Sequence, residues 1–340
     1  MLGRYAPKRC RVDAEGMQAL EQPIARFLLT GASGLLGTAI RSSLLETGAE
    51  VLQLVRRRPL GPREQEWFPG SAQPVRDPAG LEGLSSAIHL SGANVAAHRW
   101  TPAYRRDMWT SRVESTRALC GALRALERPP QALLIASATG IYGDRGDELL
   151  DESSPPGAGF LADLCREWED AAAPAREAGI RVVHLRFGVV LAREGGALAK
   201  MLPAFRLGLG GRMGSGRQWM SWIALDDAVA AMHFLLQGDG LAGPVNLCAP
   251  QPVTNSEFTR ALAARLGRPA VLAIPAFALR IAFGQMADEA LLASARVMPK
   301  LLLDAGFPFS RPTIESAIED LSGSDAERPS GSAQSGTEAK

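Results

Sequence analysis

Three glycines, Gly31, Gly34 and Gly37, stand three residues apart in FLLTGASGLLG, after an apolar run and before an apolar helical pattern. Strand, glycine turn and helix in that order make the first half of a βαβ unit that holds a dinucleotide. Gly31 permits the tight turn, Gly34 lets backbone N–H groups approach a pyrophosphate, and Gly37 lets the helix pack closely on the sheet. The helix N-terminus adds unpaired donors and partial positive charge for the phosphates. The competing reading is a glycine-rich turn that binds nothing.

The next apolar run, VLQLV at 51–55, bears on which dinucleotide is held. An NAD site places Asp or Glu about 20 residues beyond the glycines, to bond the ribose 2′-hydroxyl. Here the run ends in Arg56-Arg57-Arg58 with no carboxylate. A guanidinium suits a 2′-phosphate, because its fork makes paired, charge-assisted hydrogen bonds. The expectation is NADP(H) in preference to NAD(H), against a merely solvated basic loop.

Other titratable residues carry weaker signals. Asp226 and Asp227 precede the helical pattern AVAAMHFLL, where an N-cap and a dipole contact explain them. Asp151-Glu152 falls in a Pro- and Ser-rich loop and reads as solvated, and Arg186 in LRFGVV reads as a paired structural charge. Four cysteines (10, 120, 165, 248) and four histidines (89, 98, 184, 233) show no ligand or disulfide spacing, so no metal is expected. No Ser lies in a GxSxG elbow.

These residues need a scaffold, and the pattern supplies one. Branched runs at 27–30, 51–55, 87–90, 133–136, 182–185 and 244–248 alternate with amphipathic stretches such as Ser111 to Leu126. The fold class is α/β, a Rossmann-like doubly wound parallel sheet with helices on both faces. TNSEFTRALAARLG opens with a capping box, Thr254 and Glu257, and closes on Gly267 as C-cap. A Pro-broken, mostly helical stretch follows. The expected organisation is a poorly ordered extension at 1–24, a dinucleotide-binding domain at 25–250 with cap segments near 200–222, a C-terminal domain at 251–321, and a disordered tail at 322–340.

The 340 residues carry 37 Lys plus Arg against 36 Asp plus Glu, a formal charge of +1. That balance gives no global attraction to nucleic acid or an anionic membrane. The longest apolar stretch, IPAFALRIAFG, is interrupted by Arg280 and is short of the ~20 residues a span needs. The first 25 residues have no signal-peptide core. A cytoplasmic protein with free thiols and a small-molecule substrate is the expectation.

TGASGLLG, IHLSGANV, SATGIYGD, GFLADLCREWEDAA, LRFGVVLA, MSWIALDDAV and NLCAPQPVTNSEFTRALA occur in this order. The sequence resembles an atypical extended short-chain dehydrogenase/reductase, and more narrowly the epimerase-family proteins that end in a domain of unknown function. The resemblance covers about residues 26 to 321, and MADEALLASARVMPKLLLDAGFPF is its most specific part. It implies a Rossmann-like core with a smaller C-terminal cap. It assigns Gly31, Ala32, Ser33, Gly34, Leu35 and Leu36 to the phosphate loop, with Gly37 behind it, and Arg56, next to Arg57, to the adenosine ribose. Asp77 would meet the adenine, and Leu90, Ser91 and Gly92 would line the nicotinamide ribose. A dimer through two helices is common in this superfamily, which leaves a homodimer as an open expectation.

The catalytic half departs from the pattern. Relatives use Tyr-x-x-x-Lys, in which the lysine lowers the tyrosine pKa and binds the cofactor ribose. Phe160 and Leu164 stand at those positions, and a shift by one gives Leu161 and Cys165. Of three tyrosines only Tyr142 follows a strand that ends beside the nicotinamide, with Ser137 and Thr139 close in sequence. Ser137, Thr139 and Tyr142 are therefore the candidate catalytic residues, with loop packing as the competing role for Tyr142. Met220 replaces the arginine that binds the diphosphate in nucleotide-sugar enzymes, while Arg212 and Arg217 lie nearby among glycines. Trp219, Trp222, Met213 and Met220 suggest an apolar pocket floor or ordinary interface packing. The leading expectation is an NADP(H)-binding oxidoreductase or epimerase-like protein acting on a small non-nucleotide substrate. The rival is a dinucleotide-binding sensor or scaffold that acts through protein partners without turnover.

Overall fold

The computed structural model describes residues 24–319 except 239. The expected disordered tail and all but one residue of the expected N-terminal extension lie outside the described residues.

A seven-stranded, all-parallel sheet organises the chain. Its first five strands are β1 (Arg26–Thr30), β2 (Glu50–Val55), β3 (Glu64–Glu66), β4 (Ser86–His89) and β5 (Ala132–Ala138). Strands Arg181–Phe187 and Gly243–Leu247 complete it beyond β5. From β1 the chain moves outward through β2 to β3, then returns to the other side of β1 and proceeds through β4 and β5. The order thus reverses between β1 and β4, and the crevice at the strands' carboxyl ends there is where such sheets bind ligands. Every branched run read from the sequence became a strand. Leu28, Leu29, Ile88, Leu133, Leu134, Val183 and Val245 are fully buried, as expected of parallel strands covered on both faces.

Four helices matter for the site: α1 (Leu35–Glu46), α2 (Pro102–Trp109), α3 (Ser115–Arg124) and α4 (Phe160–Asp170). Thr101 caps α2 by accepting from Tyr104 N, and Pro102 occupies the first turn, where its missing donor costs nothing. The single helix expected from Ser111 to Leu126 is instead a π-turn, Thr110–Glu114, running into α3. That turn joins α2 to α3 without a break.

The C-terminal part is mostly helical, as expected, with helices Asn255–Arg265, Ala276–Phe283, Lys300–Asp304 and Ile314–Ile318. The capping box is present: Thr254 accepts from Glu257 N while the Glu257 carboxylate accepts from Thr254 N. A second apolar cluster, including Leu202, Phe205, Trp222, Phe258, Leu262 and Ile318, packs this part. Trp222 is therefore interior packing and no pocket floor.

Two acidic residues differ from expectation. Ala224 is the N-cap of helix Leu225–Gln237, and Asp227, in its first turn, is buried, at 1% exposure. Its carboxylate accepts from Ser310 N, Ser310 Oγ and Arg311 N, so it holds the C-terminal segment. Glu152 is half-buried and no solvated loop residue; it accepts from Asn246 N and Leu301 N. Among the described residues no helix is long and apolar enough to cross a membrane.

Candidate functional site

Gly31 has φ +72°, and a Cβ there would lie 2.7 Å from the carbonyl carbon of Leu90. Only glycine combines that backbone with that approach. A Cβ on Gly37 would land on Gly31 O, so α1 sits against the turn because residue 37 has no side chain. Gly34 is the N-cap of α1, with no side-chain cap and no acidic residue in the first turn. The first-turn amides of α1 are left as anion donors. Gly31, Ala32, Ser33 and Gly34 line a cleft of about 1010 Å³. Leu35, Leu36 and Gly37 do not: Leu35 lies beside Gly195 and Gly196, Leu36 packs on the main core, and Gly37 seats the helix on the loop.

At the carboxyl end of β2 the cleft is lined by Arg41, Arg56, Arg57 and Glu64. Arg57 is committed: it forms a fork with Glu64 at 2.8 and 2.7 Å. The Arg57 hydrogen bonds, with help from Leu60 N, pull the Glu64 carboxyl down to about 2. Arg56 is exposed and has no ion pair among the described residues. Arg41, on α1, was not singled out by the sequence reading, and its Nε is buried with no partner. Three guanidiniums against one carboxylate leave a net +2 at this end. Asp77 does not line the cleft; its carboxylate caps the turn Pro78–Leu81 by accepting from Gly80 N. Trp67, Pro69 and Gly70 contribute to this cleft's lining instead.

Leu90, Ser91 and Gly92 line the far end of the cleft. Beneath them runs a chain of hydroxyls around a buried histidine. Ser91 Oγ donates to Thr30 Oγ1 at 2.9 Å, and Thr30 Oγ1 meets His89 Nδ1 at 2.7 Å. His89 Nε2 meets Ser115 Oγ at 3.2 Å, and Ser115 Oγ donates to Ser111 O. Those directions assign the Nε2–H tautomer, and burial pushes the His89 pKa down to about 3. The ring is neutral and serves to hold the floor.

The three catalytic candidates lie elsewhere. Ser137 Oγ donates to Glu169 Oε1 at 2.7 Å. Glu169 is held by Arg186 in a bidentate pair at 2.9 and 2.8 Å. Burial raises the Glu169 pKa, but the Arg186 bonds outweigh it and keep the group ionised. Arg186 also donates to the Tyr142 hydroxyl at 2.9 Å, which in turn donates to Asn246 Oδ1 at 2.8 Å. Tyr142 is fully buried, and burial pushes its pKa up to about 12. Thr139 Oγ1 donates to Phe187 O. None of Ser137, Thr139 and Tyr142 lines the cleft. Ser137 and Tyr142 belong to a buried polar network around the structural pair read for Arg186. In this structure their hydroxyls are bonded within that network and do not face the cleft.

Phe160 opens α4 and packs edge-to-face on Trp100 at 5.5 Å, beneath the Arg105 guanidinium. Leu164 is 2% exposed, within the main core. Neither position carries a proton or a charge. Arg212 is tied to Gly214 O and Ser215 O within its own loop, and Arg217 is exposed. Trp219 donates to Asp147 and lies under Arg296, and Met220 packs on the second cluster.

Comparison with known proteins meets this geometry. Residues 27–248 match the profile of the NAD dependent epimerase/dehydratase family, and residues 274–321 match a domain of unknown function, DUF1731. The chain is 43% identical over 290 residues to the epimerase family protein Mb2239 of Mycobacterium bovis, covering 85% of this chain and 95% of that protein. It is 37% identical over 300 residues to the epimerase family protein SDR39U1 of Mus musculus, covering 87% and 99%. A crystal structure of the human epimerase family protein SDR39U1 with NADPH is similar at a TM-score of 0.80 and 32% identity, over 87% of this chain and 98% of that one. The chain belongs to the NAD dependent epimerase/dehydratase family.

Proposed function

We propose that this protein binds NADP(H) in preference to NAD(H) and uses it to move hydride to or from a small substrate that carries no nucleoside diphosphate. The observation that carries the cofactor reading is the pair Arg41 and Arg56 at the end of β2, neither of which forms an ion pair among the described residues, Arg41 acting on Glu64 only at longer range. A 2′-phosphate brings acceptor oxygens and negative charge to a local net +2, while a bare 2′-hydroxyl leaves both guanidiniums unmatched. The NADPH bound to the human relative is consistent with this. Met220 at the diphosphate-binding position supports a small substrate, since a methionine supplies no charge to a phosphate.

A second reading is favoured by a specific observation. The hydroxyls of Ser137 and Tyr142 are committed inside the buried network, and Phe160 and Leu164 are apolar. A cofactor held without turnover, for sensing or scaffolding, fits those facts. Fluorescence titration with NADPH and NADH, on the wild type and Arg56→Glu, tests the cofactor reading. One good charge-assisted hydrogen bond contributes about 1.5–3 kcal/mol, so NADPH should bind at least ~10-fold tighter than NADH, and Arg56→Glu should erase the difference. Equal affinities in the wild type would sink it. NADPH oxidation across a panel of small carbonyl compounds then separates the readings: bound cofactor that no compound oxidises favours the second.

A further inference from the structure

Exposed apolar side chains are ordinary when they are scattered. Here more than half of the large ones among the described residues fall in two short segments that adjoin. Leu207 and Leu209 follow helix Gly196–Arg206 and are 75% and 59% exposed. Val271, Leu272, Phe277 and Ile281 come from strand Leu272–Ile274 and its flanks, at 86%, 45%, 65% and 70%. A Cβ on Gly208 would lie 3.8 Å from Pro269 Cγ, and strand Leu272–Ile274 pairs with Gly211–Met213, so the segments form one surface.

The helix Ala276–Phe283 that carries Phe277 and Ile281 is firmly held. Leu279 is buried, Arg280 pairs with Asp288 at 2.8 Å, and Arg99 Nη1 donates to Ile281 O at 2.8 Å. Phe277 and Ile281 are one turn apart and share a face. That face is presented to solvent by a docked helix, and nothing among the described residues covers it.

The near-neutral chain conceals a local charge asymmetry at this surface. Residues 195–225 and 258–287, which contain both segments, hold eight Lys or Arg and no Asp or Glu. Arg206 and Arg268 stand beside Leu207 and Pro269, where the segments meet; both are exposed, and neither forms an ion pair among the described residues. An apolar face with unmatched cations at its rim fits a partner that offers apolar surface and negative charge together, as a bilayer with anionic lipids does. A second copy of the chain fits it worse. Equivalent patches meet in an isologous contact, so each pair of arginines would approach the same cations with no carboxylate between them.

We propose that the surface formed by residues 207–209, strand Leu272–Ile274 and helix Ala276–Phe283 docks on an anionic lipid surface. Phe277 and Ile281 enter the acyl boundary, and Arg206 and Arg268 meet the headgroups. The contact is peripheral, made by one face of a short helix. It does not depend on what the cleft holds.

The test is co-sedimentation of the full chain with vesicles of phosphatidylcholine, with and without phosphatidylglycerol. The anionic vesicles should bind at least ~10-fold more tightly, and high salt should erase the difference. Each surface cation is worth about fivefold, so Arg206→Gln combined with Arg268→Gln should weaken binding about 25-fold. Phe277→Ser combined with Ile281→Ser should weaken it at least ~10-fold. All four side chains are exposed and none lines the cleft, so melting temperature and NADPH affinity should match the wild type. Should the serine variant fail to fold, the glutamine variant and the salt dependence of the wild type decide. No sedimentation with either vesicle overturns the proposal, as does binding that ignores lipid charge and both arginines. A dimer, seen by light scattering, that the serine variant dissolves and that binds no vesicle gives the face to a second copy and overturns it too.

Discussion

Alanine at two glycines, Gly37 and Gly121, should act in opposite directions. Both lie in helices, α1 and α3, where alanine is the better helix former by about 0.5–1 kcal/mol. At Gly121 an added Cβ meets nothing within 4 Å, so the propensity gain is the whole effect. Gly121→Ala should stabilise by up to about 1 kcal/mol. At Gly37 the Cβ lands on Gly31 O, 2.8 Å from that carbonyl carbon and 2.9 Å from Ala32 Cα, all of it backbone. Carbon atoms rest about 3.5–4.0 Å apart, so α1 must retreat by on the order of 1 Å. Forcing extra volume into a packed contact costs about 1–3 kcal/mol, which exceeds the gain and leaves a net loss of about 0.5–2 kcal/mol.

The same retreat draws the amides of α1 away from the phosphate loop. Loss of one charge-assisted hydrogen bond corresponds to at least ~10-fold in Kd, so Gly37→Ala should bind NADPH at least that much more weakly. Urea unfolding and NADPH titration of both variants measure the two effects. The reasoning is refuted if Gly37→Ala matches the wild type in both assays, or if Gly121→Ala lowers the unfolding midpoint.

Two further outcomes are expected. Tyr142→Phe removes the hydroxyl between Arg186 and Asn246 and should cost about 1–3 kcal/mol by leaving buried polar groups unmatched, with NADPH affinity unchanged; a selective loss of binding, seen in titration, would contradict its assignment to the core. Burial depresses the pKa of His89 to about 3 and of His184 to about 4, from 6.5. The unfolded chain therefore binds more protons than the folded one below pH 6.5. Stability is full above that pH and should fall by about 2 kcal/mol per histidine between pH 7 and 5. Denaturant unfolding at the two pH values reads it, and a His89→Gln variant should show a shallower fall.

The sheet was legible because its central strands are buried on both faces and read as unbroken apolar runs. β3, the polar tripeptide Glu64-Gln65-Glu66, offered no such run and emerges only by pairing with β2. The phosphate loop was legible because Gly31 and Gly37 are needed for steric reasons that any side chain would violate. Arg41 was not, since it reaches the end of β2 only through the packing of α1 on the sheet. Asp77 could not be placed from sequence, because its carboxylate bonds a local amide, Gly80 N, as an Asp before a turn commonly does. Ser137 and Tyr142 could not be placed for a related reason. Sequence placed them near a strand end, but the short turn Thr139–Tyr142 tucks the phenol inward, and the Ser137 hydroxyl is claimed by Glu169 on α4. Position along the chain locates a residue; only the fold says which way its side chain faces.

The buried groups shared between the two matched segments have a consequence for how the molecule divides. Asp227, Glu152 and Asn246 lie in the dinucleotide-binding part, yet their partners are Ser310, Arg311, Leu301 and Met298 O. A chain cut at residue 248, where the family profile ends, would strand those acceptors and donors without mates. The evolutionary seam between the two segments is therefore no seam in folding: the C-terminal segment acts as a keystone for the sheet it follows.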